Sequence, residues 1–181
     1  FNALKKNSIS VYPQYAKQYV NGALVDVTAK IYQGNTWVNL ASEYVIFDGG
    51  RGALVTLNKY KESASTITVG TETIDVGYSA TDMNYVTALR TDVPINMAKY
   101  SKLSMEFTAT KRISSKFASF GVTSTAFTKA DPSTLTWVAK TAIATSTEKQ
   151  TITVDLSSVN ESLYVAFQFG GTMAVTKIWL E

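Results

Sequence analysis

From Tyr44 to the C-terminus, apolar and polar residues alternate in short runs. In "KLSMEFTAT", Leu103, Met105, Phe107 and Ala109 fall on one side, and Ser104, Glu106, Thr108 and Thr110 on the other. This period of two is the signature of a strand with one buried face. The same reading sends Ile152, Val154 and Leu156 inward in "QTITVDLSS", and Leu163, Val165, Phe167 and Phe169 inward in "SLYVAFQFG". In "MAVTKIWLE" it buries Ile178 and Leu180 and leaves Lys177 and Trp179 outside. Further strands are predicted at "EYVIF", "ALVTL", "YVTALRT", "KFASFGVTS" and "LTWVAKTAIAT", with "STITVG" and "TETIDVGYS" forming a hairpin. Pro94 makes "DVPINMAKYS" a crossover, because proline cannot donate to a ladder. The best helical candidate, 95–103, is short and follows that proline. Strands at intervals of about 8 to 12 residues predict an all-β antiparallel sandwich or barrel.

The first residues behave differently. Residues 1–21 show no clean period and contain a proline and an Asn-Gly turn signal, so they read as an extended lead-in. In "ALVDVTAKIYQGNTWVNL" a strand, a "QGN" turn and a returning strand predict one hairpin at 23–40. The expected division is 1–41, lead-in linker plus β-hairpin, and 42–181, the sandwich domain. The chain starts at Phe1, which points to a fragment or a processed product. It ends flush with a strand, which is expected to be a full member of a sheet.

Composition narrows the chemistry. The 24 threonines and 17 serines outnumber the 14 acids and 17 bases, so the polar surface is mostly hydroxyl. Such a chain fits an extracellular or particle-borne β module better than a cytosolic enzyme. No cysteine is present, which removes disulfides, thiolate metal sites and a cysteine nucleophile. No histidine is present, which removes the commonest general base and any Ser-His-Asp arrangement. Glu106 and Asp155 alternate with threonines on strand faces and read as solvated carboxylates, not as a hydrolytic pair. The net charge of +3 is mild, and Lys111, Arg112 and Lys116 form its one cluster, read as a hairpin tip. Nucleic-acid binding is not expected. No apolar run is long enough to span a bilayer as a helix, and no membrane insertion is expected. "DGGRG" lacks the Gly-Lys-Ser/Thr of a phosphate loop and reads as turn chemistry.

The closing stretch "EKQTITVDLSSVNESLYVAFQFGGTMAVTKIWLE" resembles the end of jelly-roll modules in tail and baseplate proteins of phages that infect Gram-positive bacteria. "YSKLSMEFTAT" is similar to the strand that precedes it there, and "AKQYVNGALVDVTAKIYQGNTWVNL" to a junction between modules. The resemblance implies a jelly-roll carbohydrate-binding module, non-catalytic, extracellular on the virion, that attaches it to host cell-surface polysaccharide. Its further partners would be other tail and baseplate proteins. An architectural domain that binds only those proteins is the alternative. No cofactor is implied, although jelly rolls often hold a structural calcium. Asp48 and Glu181 would serve if the first and last strands are neighbours.

A saccharide site needs flat aromatic faces and short polar groups. Trp137, after a proline-containing loop, is one candidate, although its register with Ala139 and Ile143 also suits the core. Tyr78 and Tyr85 flank a loop offering Asp82 and Asn84 to sugar hydroxyls. Arg90 and Gln168, with Asp75, line a sheet face, or Arg90 and Asp75 form a structural pair. Trp179 is expected outward beside Tyr164 and Gln168, as a stacking platform or as the surface covered by the 23–40 hairpin together with Trp37. Tyr60 reads as a surface residue in a polar loop.

Overall fold

Side chains that alternate inward from two stacked layers build the core seen in a computed structural model of the chain. It describes residues 17–20, 23–26, 30–33, 36–39, 43–61, 65–78, 86–113, 117–125 and 135–181. The chain divides into two compact units, Phe1–Tyr44 and Val45–Glu181. In the first, β1 (Lys17–Val20) pairs with β2 (Ala23–Asp26), and β3 (Lys30–Gln33) pairs with β4 (Thr36–Asn39), where Tyr32 lies opposite Trp37. The single hairpin expected at 23–40 is therefore two hairpins, and part of the supposed lead-in is a strand. The alternation from Val25 to Ile31 runs across both and does not mark where the chain changes partner. Asn21-Gly22, read only as a turn signal, separates β1 from β2 at the spacing that two-residue hairpins favour.

The remaining strands are β5 (Tyr44–Asp48), β6 (Gly52–Ala53), β7 (Leu57–Lys61), β8 (Ser65–Val69), β9 (Ile74–Tyr78), β10 (Thr87–Thr91), β11 (Ile95–Asn96), β12 (Lys102–Arg112), β13 (Ala118–Thr123), β14 (Trp137–Ala142), β15 (Ser146–Asp155), β16 (Ser162–Phe169) and β17 (Gly171–Leu180). They form two antiparallel sheets. One has the order β14-β13-β16-β10-β7, with β11 also beside β16. The other has the order β15-β12-β17-β5-β6, with β9 also beside β17 and β8 outside β9. This is the predicted β-sandwich. The region 95–103 contributes only a 3-10 turn at Met97–Lys99, capped by the Asn96 side chain, which accepts from the Ala98 N–H at 3.1 Å.

The predicted inner faces are buried, Ile152 only partly. Leu103, Met105, Phe107 and Ala109 of β12, Val165, Phe167 and Phe169 of β16, and Phe47, Ile74 and Phe120 are all within 3% of full burial. Each large apolar side chain withdrawn from water contributes about 1.5 to 3 kcal/mol. One turn depends on local chemistry. In "DGGRG", Gly50 and Gly52 adopt positive φ of 94° and 77°, and the Arg51 N–H closes the turn on the Asp48 carbonyl at 2.9 Å. A strand, β6, follows.

"ALVTL" does not persist as one strand. Pairing stops after Ala53, the chain bends, and β7 begins at Leu57 in the opposite sheet. The Leu54 N–H still bonds the Ile46 carbonyl, whereas the Thr56 carbonyl already receives the Asp92 N–H. The segment changes layers where its composition reads as continuous. Phe107→Ala empties a fully buried site in the middle of this core, and a loss of about 3 to 5 kcal/mol in urea unfolding is expected.

Candidate functional site

The strand register of the six-stranded sheet fixes what its outer face presents. One row across the sheet runs Tyr60, Ala88, Gln168, Ser119, Ala142. The next, about 7 Å along the strands, runs Asn58, Arg90, Ala166, Gly121, Lys140. A third carries Tyr164, Thr123 and Trp137. Ala88, Ala166, Gly121 and Ser119 are small, so they form a low floor around Gln168. Tyr60, Tyr164, Arg90 and Trp137 stand at its margins. Gly121 is required there: a Cβ would lie 2.1 Å from the Ala139 carbonyl oxygen.

Two polar side chains in this face are withdrawn from solvent. Arg90 is 6% exposed and Gln168 4%. Arg90 Nη1 donates to the carbonyls of Thr91 at 2.8 Å and Asp92 at 3.1 Å. Its guanidinium lies over the Tyr164 ring, 4.2 Å from the centroid. A desolvated cation on an aromatic face is worth about 2 kcal/mol, so the ring is held in one orientation. Gln168 Nε2 is buried and has no hydrogen-bond acceptor among the described residues.

The candidate residues sort by layer. Arg90 and Gln168 come together on this face. Trp137 joins its margin: a bulge after Val122 sets it opposite Thr123, on the row of Tyr164, half-buried. Tyr78 ends β9 in the other sheet, with Lys111 Nζ 5.1 Å from its ring centroid. Tyr85, Asp82 and Asn84 lie outside the described residues, as does Lys116. The expected Arg90–Asp75 pair is not formed. Asp75 sits on the other sheet and accepts from Thr73 Oγ1 at 2.7 Å, so the two strands are not neighbours. Trp179 likewise lies on the seven-stranded sheet, under Lys177 at 4.4 Å, and not beside Tyr164 and Gln168.

Tyr60 was misplaced by sequence reasoning. It is a half-buried strand residue opposite Ala88, not part of a loop. The small floor was missed altogether. Its signal was legible in principle: Ala88, Ala166 and Gly121 occupy outward positions where a solvated face would carry polar side chains.

Two of the acids are held by hydrogen-bond donors. Thr176 Oγ1 donates to Glu106 at 2.6 Å and Lys149 Nζ at 2.9 Å, which lowers the Glu106 pKa below its ordinary 4.5. The Ser157 N–H, 2.9 Å from Asp155, lowers that carboxyl too. A glycosidase needs a general acid whose pKa is raised. Asp48 pairs with Arg51, and Glu181 accepts the Trp179 indole N–H. Among the described residues, no three acidic side chains gather as metal ligands.

No family model and no curated protein matches the sequence. Solved structures do match. The family 11 carbohydrate-binding module of the cellulosomal cellulase Lic26A-Cel5E of Clostridium thermocellum aligns with a TM-score of 0.52 at 13% identity, over 78% of this chain and 95% of that one. A family 11 module from Clostridium thermocellum in complex with a β-1,3-1,4-mixed-linked tetrasaccharide aligns at 0.51 and 14% identity, over 76% and 94%. The likeness is one of fold. It places the sandwich among the jelly rolls that carbohydrate-binding modules use.

Because Glu106 has a lowered pKa when folded, it stabilises the native state above its unfolded value near 4.5, and this contribution is lost as pH falls through the folded pKa. Scanning calorimetry of Glu106→Gln below pH 5 is expected to show a shallower loss of Tm with acid than the parent chain.

Proposed function

We propose that the chain is a non-catalytic saccharide-binding module and that the outer face of the six-stranded sheet is its site. The observation that carries this reading is Gln168: a buried amide N–H without an acceptor, in a floor of small residues. Leaving such a donor unmet costs about 1 to 3 kcal/mol. A sugar hydroxyl oxygen reaching the floor satisfies it. Tyr164, steadied by Arg90, offers a flat apolar face to the ring C–H groups, and Ser119 offers a hydroxyl. The fold is one that carbohydrate-binding modules use.

The resemblance of the closing strands to phage tail and baseplate modules extends the proposal. The module then sits on a virion, outside the cell, and holds host cell-surface polysaccharide, with other tail proteins as structural partners. Sugars offer little apolar area, so each contact is weak, and many copies raise avidity through effective concentration.

Gln168→Leu separates function from folding. It removes the unmet donor, so stability is expected to hold or rise by about 1 kcal/mol, while saccharide affinity on a glycan array falls at least about tenfold. Tyr164→Ala and Trp137→Ala are expected to weaken the same glycans. Undiminished binding in both Gln168→Leu and Tyr164→Ala overturns the site. Absence of glycan binding, and of labelling by a fluorescent fusion across Gram-positive strains, overturns the function in favour of the architectural reading.

A further inference from the structure

The seven-stranded sheet has a concavity of its own on its outer face. A cleft of about 280 Å³ is lined by Thr66, Asp75, Thr108, Thr110 and Thr172, together with the apolar Val76 and Met173. Its floor is again made by small residues. Asp75 lies opposite Ala174, Ala174 opposite Thr108, and Gly77 opposite Thr66. A Cβ on residue 77 would meet Thr66 Oγ1 at 2.8 Å, so the Thr66 hydroxyl occupies space that any other residue would fill. Thr110 is the extra residue of a bulge, because Ala109 pairs with Met173 and Lys111 with Thr172. Bulges re-aim side chains, and this one adds a hydroxyl to the cleft.

These threonines differ from others in the sandwich. The hydroxyls of Thr73, Thr87, Thr123, Thr153 and Thr176 are each tied to a protein partner. Those of Thr66, Thr108, Thr110 and Thr172 bond no other described residue, and all four residues line the same cleft as the Asp75 carboxylate. Asp75 Oδ2 takes one bond from Thr73, and a carboxylate has room for several more. Among the described residues no cation lines the cleft, and Lys111 directs its ammonium over Tyr78. An anionic ligand would face Asp75 without compensation. A divalent cation would have one carboxylate and neutral hydroxyls, fewer charged ligands than such sites use. A neutral polyol fits: vicinal hydroxyls donate to Asp75, threonine hydroxyls bond the rest, and threonine methyls meet the C–H edge. The volume lies just below the range of about 300 to 1,000 Å³ typical of small-ligand sites, which suits a single sugar ring.

We infer that this cleft is a second saccharide site, for one neutral sugar unit, on the face opposite the first. It does not depend on the Gln168 face. The test follows ¹³C-methyl threonine signals while neutral hexoses, N-acetylhexosamines and their oligomers are titrated into the parent chain and into Gln168→Leu, Ala174→Phe and Asp75→Asn. For at least one sugar, the methyl signals of Thr66, Thr108, Thr110 and Thr172 are expected to move saturably at millimolar concentration. The movement persists in Gln168→Leu and disappears in Ala174→Phe, whose unchanged core methyl signals report intact folding. Asp75→Asn, which keeps the volume, weakens the response at least about fivefold. Signals that stay still in the parent chain across the panel, or that stop moving in Gln168→Leu, overturn the inference. An unaltered response in Asp75→Asn overturns recognition through the carboxylate.

Discussion

The two large sheets share one apolar layer, to which strands such as β12, β16 and β17 give alternate side chains. Phe107 and Met105 from one sheet and Phe167 and Phe169 from the other are fully or almost fully buried, without a disulfide or a bound metal in evidence to hold them. The hydrophobic contribution of that layer fixes the register, since a slip by one residue would expose the whole inner set. The outer faces inherit their geometry from this constraint. The outward rows of the six-stranded sheet are ordered by the same register, and their central residues Ala88, Ala166, Gly121 and Gln168 are themselves buried.

The outer faces depart from a plain solvated sheet in different ways. On the six-stranded sheet, Arg90 and Gln168 are as buried as core residues although they point away from the core. Arg90 donates to two carbonyls and lies on an aromatic ring, and Gln168 Nε2 has no acceptor among the described residues. On the seven-stranded sheet several charged residues have partners. Glu106 is held by Thr176 and Lys149, and Lys177 covers Trp179. There the irregularity is a gap between threonines. A face that leaves a buried donor unmet carries a local cost that folding alone does not explain, and such departures from local consistency concentrate where function is exerted.

The inner faces were legible because alternation is a local property. Leu103 to Ala109, Leu163 to Phe169, and Ile178 with Leu180 can each be read from fewer than ten residues. What was not legible is membership, meaning which sheet a strand joins. Asp75 and Arg90 looked like neighbours because their strands are close in sequence, yet β9 and β10 belong to different layers. The same confusion put Trp179 beside Tyr164 and made one strand of "ALVTL", where the chain passes between layers. Tyr60 was lost for that reason too, since only the pairing of β7 with β10 shows it on the sheet. The Arg90–Tyr164 contact joins residues 74 positions apart, with nothing local to announce it. The two N-terminal hairpins show a related limit, because period two continues through a change of partner.

The fixed Tyr164 ring would have a kinetic consequence in the proposed site. A platform already set in position by Arg90 would have little internal freedom to lose when a flat ligand settled on it. Association would then be governed by encounter and alignment, and the lifetime of the contact would carry nearly all differences between ligands. Such a surface would let go quickly as well as catch quickly. Many such contacts on one body would allow it to walk over a polymer-coated surface, exchanging one foothold for the next without ever being fully released.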